Sequence, residues 1–290
     1  GKPVVWTMHD MWPVTGICHH AQDCIRYQTQ CHDCHLLYRG HKHDLSYKTF
    51  VKKQRLYKNA PITFVACSRW LEGLAQKSIL THGHTVTNIP NPINTNLFHP
   101  TDKLAARRKL NLPEDKRLLL FSSMKITDKK KGIDYLVEAC RLLNEMQPDF
   151  CRELAVVVVG KESQQYADLF PFPVYCLNYV GKEKEMPTIY NAVDLFVTPS
   201  LQENLPNTIM EAMSCGVPCV GFCIGGIPEM IDHLHNGYVA RYRSAEDLAN
   251  GICWSLTEGD YQSLSTEARR KVLSTYAEHV VAMKYIGIYN

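Results

Sequence analysis

Nothing in this 290-residue sequence is apolar for long enough to cross a bilayer: the most strongly apolar stretch, residues 154–159, falls far short of the roughly 20 residues a spanning helix needs. No transmembrane helix is expected. Charge of one sign is not in excess either. Lys and Arg number 32 against 29 Asp and Glu, a formal net charge of +3, too balanced for a protein that lives by neutralising polyanions. No nucleic-acid partner is expected. No G-x-G-x-x-G follows a strand pattern, which disfavours a nicotinamide enzyme, and no G-x4-G-K-[ST] occurs, which disfavours a P-loop ATPase. Internal repeats and low-complexity segments are lacking too.

What is present is enough apolar material, 45% of the residues, for one large core or two ordinary ones. A strand is expected at 3–8, followed by a polar, Cys/His-rich loop to about 43 and a basic helix at 45–58. A second strand follows at 62–66, then a helix at 70–80 capped by Ser68, and a short strand at 86–89. Two prolines and three asparagines in NPINTNLFHP mark a boundary near residue 97. Beyond it, strands at 118–121, 154–159, 195–199 and 219–222 alternate with helices at 132–144 and 206–214, and three helices close the chain at 245–257, 261–276 and 278–289. Ile133, Leu136, Val137, Cys140 and Leu143 fall on one face at helical spacing. The VVVV strand suits a parallel sheet buried on both faces. The fold class is therefore α/β, doubly wound.

In such a sheet a ligand sits at the carboxyl ends of the strands, where helix N-termini present free N–H groups. Three loops qualify. VTPS runs into LQENLPNTIMEAMSCG, where Glu203 and Glu211 form E-x7-E, about two helical turns apart along one side of a cleft. One carboxylate could accept both hydroxyls of a ribose while the other meets a sugar ring, with the N–H groups near Asn204, Leu205 and Asn207 holding a diphosphate between them. Two solvated glutamates on an amphipathic helix are the plainer alternative. SSMKITDKKKG places Lys131 before Gly132 at a helix entrance and Lys125 six residues earlier. CIGGIPEMI adds Gly225 and Gly226 for close backbone approach and Pro228 in a first helical turn. No D-x-D is available to hold a metal on a diphosphate, so lysines and helix dipoles would have to neutralise it.

TMHD, NPINTNLFHP, K-x5-KG, VTPS-x2-E-x7-E, CGVPCV, GGIPE and NGYV together resemble the retaining GT-B nucleotide-sugar glycosyltransferases of glycosyltransferase family 4. The resemblance implies two Rossmann-like domains facing each other across a cleft: residues 1–97 as an incomplete acceptor domain, 98–277 as the nucleotide-sugar domain, and 278–290 as a helix crossing back. It implies a hexosyltransferase that retains configuration, needs no metal for catalysis and uses a nucleotide-sugar donor with a glycan or lipid-linked acceptor in polysaccharide assembly. A cytoplasmic location is expected, with peripheral association at the inner face of the membrane. By the same resemblance Glu211 binds the ribose, Glu203 contacts the transferred sugar, Lys131 and Lys125 bind phosphate, His9 reaches the donor from the first domain, and Gly181 joins the donor-binding residues. His9, Glu203 and Lys131 are the expected catalytic set. Where the family usually has Phe-Gly after the first Glu, this sequence has Asn204, Leu205 and Pro206, the last without an N–H. The alternatives are a GT-B-fold nucleotide-sugar epimerase and a non-catalytic nucleotide-sugar-binding module. About a hundred residues ahead of the TMHD segment are expected to be absent, which predicts nucleotide binding but poor transfer by this chain and an open sheet edge prone to artificial dimerisation.

Cysteine use divides in two. Cys140, Cys176, Cys215, Cys219 and Cys253 lie in apolar contexts and are expected to be small core residues. Cys18, Cys24, Cys31 and Cys34 instead crowd into seventeen residues with His19, His20, His32 and His35 interleaved. Four thiolates can close a structural zinc site, and Cys31 with Cys34 has a common ligand spacing; two disulfides or free thiols are the alternatives.

Overall fold

The structure, a computed structural model, describes residues 2–177 and 183–289, and it divides into two compact units, Gly1–Pro90 and Asn91–Asn290. The division falls earlier than the boundary expected near 97. Residues 91–98 are tied to the second unit: the Ile93 amide donates to the Tyr276 carbonyl at 2.9 Å, and Arg269 donates to the carbonyls of Thr95 at 3.1 Å and Phe98 at 2.7 Å.

In the first unit β1 (Val4–Met8), β2 (Ile62–Ala66) and β3 (Thr85–Asn88) form a parallel sheet in that order. Between β1 and β2 lies α1 (Leu45–Tyr57), and between β2 and β3 lies α2 (Arg69–Gln76). Ser68 caps α2 through the Leu71 amide at 3.0 Å. The helix stops four residues before the expected 80, because Ser78 opens a separate 3-10 turn, accepting from Leu80 and donating to the Val14 carbonyl at 2.8 Å. Phe50, Phe64, Leu71 and Met8 fill the core. From α1, Lys53 Nζ reaches into the loop after β1 and donates to the carbonyls of Trp12, Thr15 and Gly16.

The second unit opens with α3 (Lys103–Lys109). Then β4 (Arg117–Lys125), α4 (Ile133–Met146), α5 (Pro148–Cys151), β5 (Leu154–Lys161), β6 (Val174–Leu177), α6 (Met186–Ala192), β7 (Leu195–Thr198), α7 (Asn207–Ser214), β8 (Cys219–Phe222), α8 (Ile227–Met230) and β9 (Gly237–Ala240) follow. The helices α9 (Ala245–Thr257), α10 (Tyr261–Thr275) and α11 (Glu278–Tyr289) close it, with α11 inside this unit. The five apolar residues read on one face of α4 are all buried. Every strand pairing is parallel, in the order β6-β5-β4-β7-β8-β9. The chain winds outward from β4 to β6, returns to lay β7 beside β4, and winds outward again. That reversal makes the carboxyl ends of β4 and β7 the topological switch point, where open α/β sheets place their ligands. Asp194, just before β7, locks the region from below: it accepts from Arg107 Nη2 at 2.6 Å, Lys103 Nζ at 2.7 Å and the Leu118 amide at 2.7 Å.

Among the described residues no helix is long and apolar enough to cross a membrane. Cys140, Cys215, Cys219 and Cys253 are buried as expected, while Cys176 on β6 is only half-buried, as befits an edge strand.

Candidate functional site

Two of the three expected loops meet at the switch point. After β4, a 3-10 turn at Lys129–Lys131 is capped by the Asp128 carboxylate, and Gly132 then takes φ +72° before α4 begins. A Cβ on Gly132 would lie 2.0 Å from the Pro199 carbonyl oxygen, so glycine alone lets the loop after β4 press against the loop after β7. The Leu201 amide donates to the Lys130 carbonyl at 2.7 Å and completes the contact. The result is an ion pair of 2.5 Å between Lys131 Nζ and Glu203 Oε1. The carboxylate side chain is 13% exposed and the lysine 36%, enough to keep the ammonium open to a ligand.

The third loop holds the backbone of the second. Gly225 at φ +57° puts its Cα where a Cβ would be 1.9 Å from the Glu203 carbonyl oxygen, and the Gly226 amide donates to the Asn204 carbonyl at 2.6 Å. The paired glycines after β8 therefore set where Glu203 and Asn204 sit, a structural duty beyond the ligand approach read from sequence.

Helix α7 then starts at Asn207 with Pro206 as its N-cap, no side-chain cap and no acidic residue in its first turn. Pro206 needs no N–H at that position, so the departure at Asn204-Leu205-Pro206 leaves the helix start intact. Leu205 is buried, and Asn207 is exposed with its Oδ1 accepting from Asn91 Nδ2 at 3.3 Å. One turn on, Glu211 Oε2 accepts the hydroxyl of Tyr190 at 2.7 Å. Tyr190, on α6, is fully buried, and that burial, reinforced by the Glu211 charge, holds its phenol well above the ordinary value of 10. It stays a donor. Sequence reasoning missed Tyr190, since a Tyr in an apolar helix carries no spacing that announces a carboxylate partner.

Lys125 is placed differently. It is mostly exposed and pairs with Glu162 at 3.4 Å beside the end of β5, where Thr127 also donates to Glu162. Gly181 lies outside the described residues. His9 belongs to the first unit, exposed just past the carboxyl end of β1. The thiols of Cys18, Cys24, Cys31 and Cys34 line one small cavity of the first unit, and burial, with the neighbouring thiols adding to it, pushes Cys31 up to about 12. None of the four is in a disulfide, and among the described residues no three His, Cys, Asp or Glu side chains are already grouped to hold a metal ion.

Residues 115–258, which contain both switch-point loops, match the family described as Glycosyl transferases group 1. The chain carries a group 1 glycosyltransferase domain. The chain is 30% identical over 180 residues to a D-inositol 3-phosphate glycosyltransferase of Stackebrandtia nassauensis, covering 58% of this chain and 40% of the relative. It is 31% identical over 175 residues to the amylovoran biosynthesis glycosyltransferase AmsK of Erwinia amylovora, covering 56% and 42%. This chain thus spans under half the length of these two relatives. HepE of Anabaena, solved in complex with UDP-glucose, superposes with a TM-score of 0.70 at 18% identity, over 99% of this chain and 72% of that one. The glycosyltransferase fold is of the GT-B type.

Proposed function

We propose that the glycosyltransferase domain binds a nucleotide-sugar donor at the β4/β7 switch point and transfers its hexose, with retention and without a catalytic metal, to a glycan or lipid-linked acceptor. The Lys131–Glu203 pair at the switch point carries this reading: it puts a cation for phosphate and a carboxylate for sugar side by side. Glu211, about one turn into α7, takes the ribose hydroxyls through the carboxylate that Tyr190 anchors. As the bond to the sugar breaks, negative charge grows on the departing diphosphate. Lys131 and the uncapped N-terminus of α7 are fixed charges and dipoles ready to stabilise it. Lys125 supplies longer-range positive charge. His9 is the first-unit residue proposed to take part in transfer, and no enzymic nucleophile is assigned.

HepE holds UDP-glucose, which makes a uridine diphosphate sugar the donor to try first. AmsK acts in amylovoran biosynthesis, which favours a growing polysaccharide as acceptor, met at the cytoplasmic face of the membrane. The test is calorimetric titration of UDP, GDP, ADP and their common sugar conjugates, with Glu211→Ala and Lys131→Ala alongside. Binding of one nucleotide that both substitutions weaken is expected; no binding to any of them would remove the donor site from this domain.

A further inference from the structure

Residues 9–44, between β1 and α1, hold no regular element beyond two three-residue 3-10 turns, yet they contribute Met11, Val14, Ala21, Tyr27 and Cys31 to the core of the first unit. Ordered loops beyond about 12–15 residues without secondary structure are uncommon, and backbone ladders cannot be what holds this one. Something else must link its parts. Cys18, Cys24, Cys31 and Cys34, spread over seventeen residues of the segment, line a single small cavity of about 20 Å³. The neighbourhood already pins three of the four. The Gly16 amide donates to Cys31 Sγ at 3.2 Å, the Thr15 hydroxyl donates to the Cys18 carbonyl at 2.7 Å, and the Cys34 amide donates to the buried Asp44 carboxylate at 2.8 Å.

The charge balance points the same way. Lys53 is 5% exposed and its ammonium is met by three carbonyls, with no carboxylate in ion-pair reach among the described residues. A buried cation without an anion is costly. Arg26 lines the thiol cavity as a second cation, its Nη1 donating to the His32 carbonyl at 2.9 Å.

We propose that Cys18, Cys24, Cys31 and Cys34 bind one structural zinc ion that cross-links the 9–44 segment. Four thiolates on a divalent ion leave two negative charges, and Lys53 and Arg26 stand beside them to offset these. Each thiol gives its proton to solvent as it ligates. The sulfurs are spread over the cavity wall, so binding draws them inward to about 2.3 Å from the ion. The site lies wholly in the first unit and stands independently of the donor-site reading.

The full chain, purified without added zinc, is to be analysed by plasma mass spectrometry and then titrated with a mercurial in the presence of a metal indicator. About one zinc per chain, released as the thiols are consumed, is the expected result. Cys24→Ser and Cys31→Ser should lose the metal, whereas Cys176→Ser on β6 should keep it. Because a variant that fails to fold would be uninformative, the unmodified chain is also to be refolded with Co²⁺, which in a tetrahedral four-sulfur site gives intense thiolate charge-transfer and d–d bands. No stoichiometric zinc together with no such cobalt spectrum, or an intact mass showing disulfides among the four cysteines, overturns the proposal.

Discussion

The Tyr190 hydroxyl donates to Glu211 Oε2 at 2.7 Å from a fully buried position on α6. If the carboxylate binds a ribose diol, its fixed rotamer is part of the affinity. Tyr190→Phe should weaken nucleotide binding by about 1 kcal/mol, roughly fivefold, in calorimetry. A 2′,3′-dideoxy nucleotide should bind both proteins alike. Equal losses for both ligands would mean that the phenol holds the fold and not the carboxylate.

Lys131 and Glu203 neutralise one another until a phosphate competes for the ammonium. Lys131→Ala should therefore weaken a nucleoside diphosphate roughly tenfold or more, the range of a charged hydrogen bond. Glu203→Gln should leave nucleoside diphosphate binding unchanged or tighter while turnover falls. Similar weakening of the bare nucleotide by both substitutions would contradict the division of labour between phosphate and sugar.

Two glycines should respond with opposite signs. Gly225→Ala forces a Cβ into the Glu203 carbonyl at positive φ and should destabilise the second unit by about 2 kcal/mol or more, with loss of nucleotide binding. Gly73 sits inside α2 with nothing within 4 Å of where a Cβ would go, so Gly73→Ala should stabilise the first unit by about 0.5–1 kcal/mol. Urea unfolding of both variants checks the pair.

Arg107 is 4% exposed and spends its guanidinium on Asp194 and on the carbonyls of Ala192, Glu114 and Lys116. Removing the guanidinium leaves Asp194 with Lys103 and the Leu118 amide but takes the Arg107 donor from the carbonyls of Ala192, Glu114 and Lys116. Arg107→Met should cost about 3–5 kcal/mol, seen as a lower urea midpoint at unchanged slope. A shift no larger than that of a surface Arg→Met control, such as Arg152→Met, would show that these carbonyls find other donors.

Strands β2, β5, β7 and β8 were legible because their residues are apolar on both faces, and α4 because its buried face repeats at helical spacing. The short elements β6, α6 and β9 escaped notice, since four to seven residues carry too little periodicity to stand out from loops. Glu203, Glu211 and Lys131 were readable from their place after strands. Their pairing was not. Which side chains touch depends on Gly132 and Gly225 pressing three loops together, and on a tyrosine whose partner lies in another helix, relations that no local spacing encodes. Pro206, noted in the sequence for its missing N–H, serves as the N-cap of α7, where no N–H is needed.

Lys131 and Glu203 stand 72 residues apart, and β4 meets β7 only after the chain has travelled out to β6 and back. Closing so long a loop costs entropy before any contact repays it, so this pairing is expected late on the folding pathway. Until then the two charged halves of the site are strangers, and a nucleotide present during refolding has nothing to recognise. Such a ligand should leave the refolding rate untouched and act only by slowing unfolding, making nucleotide binding a clock for the last step of folding.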